Sequence, residues 1–180
     1  MSNANDVHEF TVETGNPCPD TPQEMTVDSV KFIIRMVISE LDELACTVTA
    51  SAEERDSLLH EALETRDKCS AFQDTYASKD ELIGAQFDAL VDSWYYSLNT
   101  AAKHGVNMSK IFDLVHKANM DKRDPATGKF LKREADGKII KPVGWTSPDI
   151  TGEITRQGAE GAWDWWRPNA VRTTTQDVVK

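Results

Sequence analysis

The chain has 180 residues, 39% of them hydrophobic, and its 20 basic and 30 acidic residues give a formal net charge of −10. A chain of this length forms one domain, or one domain with an arm or tail. Its acidity argues against binding to nucleic acids or to anionic membranes, because their phosphates repel a negative protein. A small anion can still be bound through metal ions and local lysines.

The first 24 residues are polar and rich in proline, with Pro17, Pro19 and Pro22 close together. We expect an irregular arm over residues 1–25, with a short helix around Val7–Phe10. The polar start shows no signal peptide, and no apolar stretch is long enough to span a membrane. A cytoplasmic location is therefore expected.

Four helices are predicted in the core segment, residues 26–120. The apolar residues recur at helical spacing over about 27–49, 52–67, 80–104 and 108–119. Thr26, Ser51 and Ser78 are suitable N-caps, and Gly105 is a suitable stop. Short polar links between helices favour an all-α fold, an antiparallel four-helix bundle with a mostly irregular C-terminal tail.

Two pairs of carboxylates have the spacing of a single helix face: Glu40 with Glu43, and Asp88 with Asp92. Apolar residues flank both pairs, which argues against simple solvated faces. Hard divalent cations prefer oxygen ligands of this kind. No histidine stands at Glu-x-x-His spacing from the glutamates, so the pattern favours Mg²⁺ or Mn²⁺ over iron.

The composition changes after the fourth helix. Residues 121–150 are polar, glycine-rich and locally basic, and Lys129–Leu131 with Lys138–Ile140 predict a short hairpin. Little regular structure is expected beyond Val143, and residues 151–180 are treated as a tail. We assign its three tryptophans to packing or subunit contact; they are Trp163, Trp165 and Trp166.

With these motifs in place, the chain resembles the all-α nucleoside triphosphate pyrophosphohydrolases, the MazG-like and phosphoribosyl-ATP pyrophosphohydrolase-like group. Their signature is Glu-x-x-Glu on one helix and Glu-x-x-Asp on a later one. Glu40 and Glu43 match the first motif, and Asp92 takes the place of the aspartate in the second. The chain departs from the pattern at Ala89, where the group has an acid, and Asp88 is the nearest substitute.

The resemblance covers roughly residues 7–150. His116–Lys122 is similar to a segment whose asparagine and lysine approach the phosphates, and Gly137–Ile150 is similar to a closing lysine-rich segment. The resemblance implies substrate contacts by Asn119, Lys122, Lys138 and Lys141. From the sequence alone, a helix C-cap is the preferred role of Asn119, and Tyr95 and Asn99 are either core residues or substrate contacts.

The activity that the resemblance implies is hydrolysis of a nucleoside triphosphate to a monophosphate and pyrophosphate. It also implies two or three Mg²⁺ or Mn²⁺ ions on the four carboxylates, with Glu40 and Glu43 catalytic and Glu43 a candidate general base. A homo-oligomer, a dimer or a tetramer, is expected. Similarity to the bacteriophage enzymes called MazZ suggests dGTP and dATP as substrates. A viral protein of this kind is expected in the host cytoplasm. The alternatives are a phosphoribosyl-ATP pyrophosphohydrolase and a non-enzymatic, metal-stabilised helical interaction protein.

Overall fold

The computed structural model describes residues 3–68, 70, 72–135 and 137–163. Within these ranges the regular elements are helices, together with two isolated antiparallel bridges. The α-helices are α1 (Asn3–Glu13), α2 (Val27–Cys46), α3 (Ala52–Thr65), α4 (Lys79–Lys103), α5 (Met108–Met120) and α6 (Ile150–Glu160). The predicted all-α class is confirmed. None of the described helices is both long and apolar enough to cross a bilayer.

The predicted caps set the helix boundaries. The amide of Ser29 donates to the hydroxyl of Thr26 at 3.1 Å, and that of Glu54 donates to Ser51 at 3.2 Å. Each of these bonds satisfies an amide that has no partner within its own helix. Gly105 has a φ of 75°, a left-handed conformation that favours glycine, and α4 ends just before it. The four predicted core helices are therefore found within a few residues of their expected limits.

The chain folds into two compact units. One unit is residues 19–93, which contain α2, α3 and the first part of α4. Asp42 on α2 forms an ion pair with Arg55 on α3 at 3.1 Å. Asp42 is thus half-buried.

The other unit comprises residues 1–18 and 94–180, and α5 packs against both α1 and α6 within it. The short helix predicted in the N-terminal arm is longer than expected. The ring of Phe10 on α1 packs edge-on against Phe130 at 5.3 Å, and Glu13 pairs with Arg123. These contacts fix the arm to the basic segment that follows α5.

Helix α6 corrects the expectation of little regular structure beyond Val143. Asp149 caps its N-terminus by accepting the amide of Gly152 at 2.9 Å. The buried side chain of Gln157 donates to the carbonyl of Asn107 at 3.2 Å and accepts that residue's amide at 2.8 Å. Tertiary hydrogen bonds of this kind stabilise a helix that has few apolar residues. Trp165 and Trp166 lie outside the described residues.

Acid should weaken α6 through Glu153. Hydrogen bonds from Arg156 and Gln157 lower the pKa of Glu153 to about 2, from a usual value of 4.5. The carboxylate therefore stabilises the fold fully above pH 4.5, and the stabilisation is lost as the pH falls from 4.5 toward 2. We expect the melting temperature of the wild type to exceed that of Glu153→Gln at neutral pH. The difference should vanish near pH 2, and a difference independent of pH would contradict this assignment.

Candidate active site

Glu40 and Glu43 lie one turn apart on α2, and both are exposed. Within the described part of the chain, neither side chain has a hydrogen bond or an ion pair. Apolar neighbours on the same helix are also uncovered, with Leu41 at 47% and Leu44 at 62% exposure. The two unpaired carboxylates can bind a cation. The exposed apolar side chains beside them are suited to contact with another protein chain.

Asp88 and Asp92 lie one turn apart on α4, and they are exposed as well. The described residues offer no hydrogen-bond or ion-pair partner to either side chain. Tyr95 and Asn99 continue the same helix and are also exposed, Tyr95 at 68%. Their exposure makes them available for contact and removes the alternative that they are core residues within the single chain.

The described residues contain no group of three or more His, Cys, Asp or Glu side chains that could hold a metal ion. The two acidic pairs are thus not gathered into one cluster in a single chain. Each pair still fits Mg²⁺ in ligand type, because this ion is usually bound by one or two carboxylates together with water and substrate phosphates. A complete Mg²⁺ site on either pair would therefore also need oxygen ligands from water and from the phosphates of a substrate.

An apolar groove lies between α2 and α4 in the unit of residues 19–93. Its volume is ≈350 Å³, and its walls include Ile34, Val37 and Ile38 from α2 and Ala89 and Leu90 from α4. Ile34 and Ile38 are 52% and 53% exposed. A continuous apolar surface of this kind is typical of a protein contact.

Gln86 connects the two helices at one end of this groove. Its side-chain carbonyl accepts the amide of Met25 at 2.8 Å, and its side-chain amide donates to the Met25 carbonyl at 3.2 Å. The paired bonds fix the start of α2 against α4. This polar contact fixes one end of the groove, and the apolar side chains of its walls remain exposed.

A cluster of cationic side chains forms in the other unit, where α5 ends. Nζ of Lys122 donates to Oδ1 of Asn119 at 2.7 Å. Nζ of Lys122 lies 5.5 Å from the ring centroid of Trp145, and Nζ of Lys141 lies 4.3 Å from it. We call Asn119, Lys122, Lys141 and Trp145 the basic cluster. Three of the predicted substrate-binding residues are thus brought together.

The electrostatics of the basic cluster favour an anion. Burial lowers the pKa of Lys122, and the positive charge of Lys141 lowers it further. No carboxylate among the described residues pairs with either lysine. An anion that contacted both ammonium groups would relieve their repulsion.

Asn119 is not the C-cap of α5, because the helix ends at Met120 and Asp121 is its cap residue. The C-cap alternative for Asn119 is therefore wrong. Its side chain serves instead as the hydrogen-bond acceptor that orients Lys122. Trp145, which the sequence reasoning missed, has one signal: it is the only tryptophan in the basic, glycine-rich segment of residues 121–150.

Two successive turns of the same kind lead from α5 toward Lys141. The amide of Asp124 donates to the carbonyl of Lys129, and that of Arg133 donates to the carbonyl of Lys138, each at 2.8 Å. In both turns a glycine with positive φ, 68° or 70°, precedes the lysine. The predicted hairpin is confirmed by the bridge between Lys132 and Ile139, whereas the earlier turn was not predicted. Lys138 therefore lies in the second turn, shortly before the basic cluster.

Comparison with known proteins identifies the fold. No family model and no curated protein matches the chain. The chain is similar to a solved structure from Exiguobacterium sp. 255-15, a protein named as a candidate NTP pyrophosphohydrolase. The TM-score is 0.70 at 24% identity, over 90% of this chain and 99% of the other. This chain has the NTP pyrophosphohydrolase-like fold. The fold expected from the sequence resemblance is thereby confirmed.

Proposed function

We propose that the protein hydrolyses nucleoside triphosphates to a monophosphate and pyrophosphate. The observation that carries the proposal is the fold shared with the Exiguobacterium protein, over almost the full length of both chains. The name of that protein, a candidate NTP pyrophosphohydrolase, agrees with the activity that the family resemblance implies. Purine deoxynucleotides, dGTP before dATP, are the proposed substrates, on the resemblance to the bacteriophage enzymes.

The proposed metal ligands are Glu40, Glu43, Asp88 and Asp92. Mg²⁺ or Mn²⁺, in two or three copies, would supply an activated water and neutralise phosphate charge when bound. The free carboxylates support this assignment, since in the described chain none of them is used in a structural bond. Because each helix offers only one pair, metal binding should be strengthened by the triphosphate.

Glu43 is the proposed general base, with Glu40 beside it as the second catalytic carboxylate. The base would accept a proton from the attacking water as the new oxygen–phosphorus bond forms and the bond to the leaving pyrophosphate oxygen breaks. The proposed site of attack is the α-phosphorus, as in the group that the sequence resembles. The displaced electron pair leaves on pyrophosphate, so the products are the monophosphate and pyrophosphate.

Lysines of the basic segment are the proposed phosphate contacts. Lys122 and Lys141 support this role through their convergence on Trp145 without a carboxylate partner in the described chain. Asn119 orients Lys122, and Lys138 is placed in the same segment. Tyr95 and Asn99 are proposed to contact the nucleoside. The lysines would neutralise charge that grows on the pyrophosphate as it leaves.

A homo-oligomer, most simply a dimer of dimers, is the proposed working form. The apolar walls of the groove between α2 and α4 support it, because exposed apolar side chains are costly in water. Burying these walls against a second copy would remove that cost.

The substrate proposal is tested by a panel of dNTPs, with phosphoribosyl-ATP included, assayed for pyrophosphate release. We expect dGTP and dATP to be turned over faster than dCTP and dUTP. Activity should disappear in EDTA and return with Mg²⁺ or Mn²⁺. Preference for phosphoribosyl-ATP, or equal rates on all dNTPs, would overturn the purine assignment. No turnover of any compound with metal present would overturn the enzymatic proposal itself.

A further inference from the structure

Trp145 is fixed by the backbone of α5. Its indole N–H donates to the carbonyl of Ala118 at 2.7 Å, so the ring is attached to the last turn of that helix. A carbonyl near a helix C-terminus has no partner within the helix, and the indole supplies one. The ring is therefore held in one position, and flexible side chains can pack against it.

Two lysine ammonium groups lie close to this ring. The Lys141 Nζ atom lies 4.3 Å from the ring centroid and the Lys122 Nζ atom 5.5 Å from it. An aromatic ring attracts cations through its quadrupole, but two cations near one ring also repel each other. The two lysines belong to separate segments: Lys122 lies in the turn that follows α5, and Lys141 lies in the loop after the second of the two turns. Trp145 is the residue that both contact.

We propose that Trp145 is a positioning residue that holds Lys122 and Lys141 ready to bind one diphosphate group. The inference rests on the proposed function, since it assigns the pyrophosphate part of the substrate, and pyrophosphate as product, to the basic cluster. Long lysine side chains lose rotamer freedom when they bind an anion. If the ring has already ordered them, less of that entropy is lost on binding.

Pyrophosphate itself is the probe, and EDTA removes any contribution from metal. We expect calorimetry to show that pyrophosphate binds the wild type, and that Trp145→Leu weakens binding about tenfold, because the ordering of two side chains is lost. Trp145→Phe keeps an aromatic face but lacks the N–H that bonds to Ala118, so its affinity for pyrophosphate should fall between those of the wild type and Trp145→Leu. Trp163→Leu is the matched control, a tryptophan removed elsewhere in the same unit, and should bind as the wild type does.

Coupling between residues separates positioning from simple stability. In the wild type, Lys141→Gln should weaken pyrophosphate binding clearly, whereas in the Trp145→Leu background it should have a smaller effect. The KM for the nucleotide should rise in Trp145→Leu more than kcat falls. Strictly additive effects of the two substitutions, or a Trp145→Leu protein that binds like the wild type, would overturn the inference.

A spectroscopic test avoids dependence on the leucine variant. With 5-fluorotryptophan incorporated, the resonance of residue 145 is identified by its absence in Trp145→Phe. Pyrophosphate should shift this resonance in the wild type, and the shift should be lost in Lys122→Gln. An unshifted resonance in EDTA would overturn the inference even if the protein hydrolyses dNTPs. Conversely, a shift in a protein without hydrolytic activity would overturn the proposed function and leave the diphosphate site standing.

Discussion

Replacement of Glu40 by Gln, or of Asp92 by Asn, is expected to reduce turnover by at least about 100-fold, the scale seen when one preorganised charged or polar group is removed from a catalytic site. Both substitutions keep the shape of the side chain and remove its charge. The helical circular dichroism signal should not change, because neither carboxylate makes a bond within the described structure. The melting temperature of the metal-free protein should stay the same or rise, since like charges one turn apart repel.

Asp42→Asn is the matched control, because Asp42 stands between the two glutamates on the same helix. Its carboxylate pairs with Arg55 on α3, so it has a structural partner. Losing a partly exposed ion pair of this kind lowers the stability of the fold only slightly. We therefore expect a slightly lower melting temperature and nearly unchanged turnover. Near-wild-type turnover in Glu40→Gln or Asp92→Asn, or inactivity in Asp42→Asn, would contradict the assignment of the site.

Ile34→Glu is expected to convert the oligomer to smaller species. Ile34 lines the apolar groove and is 52% exposed within the single chain, so the substitution should be tolerated by the fold. A carboxylate buried in an interface without a partner is strongly unfavourable, and association should be lost. The measurement is mass by light scattering, with circular dichroism to show that the helices persist.

Leu63→Glu is the control for this experiment. Leu63 on α3 is 53% exposed, almost the same as Ile34, but it does not line the groove. Its variant should keep the mass of the wild type. A monomeric wild type would refute the proposed oligomer, and an unchanged mass in Ile34→Glu would show that the groove is not the interface.

Local signals in the sequence were sufficient to predict the four core helices, α2 to α5. Thr26, Ser51 and Gly105 act within one turn of the chain, so their effect on helix ends can be predicted without tertiary structure. Helix α6 was missed because its key residue, Gln157, bonds to Asn107, fifty residues earlier. Long-range hydrogen bonds of this kind leave no periodic pattern in the sequence.

The candidate site was predictable to different extents in its two parts. Each acidic pair could be predicted from helical spacing. Whether the pair on α2 lies near the pair on α4 depends on helix packing, which the spacing does not determine. The described residues of one chain contain no group of three metal ligands. Asn119, Lys122 and Lys141 were expected together only through the family resemblance. Trp145, on which the two lysines converge, could not be found from spacing, because the contact joins separate segments.

Identification of the products of dGTP turnover tests the central claim most directly. With Mg²⁺ present, chromatography and ³¹P NMR should show dGMP and pyrophosphate, in equal amounts, from the start of the reaction. This result follows if water attacks the α-phosphorus and pyrophosphate leaves. Formation of dGDP with inorganic phosphate would contradict the proposed function, whatever the rate.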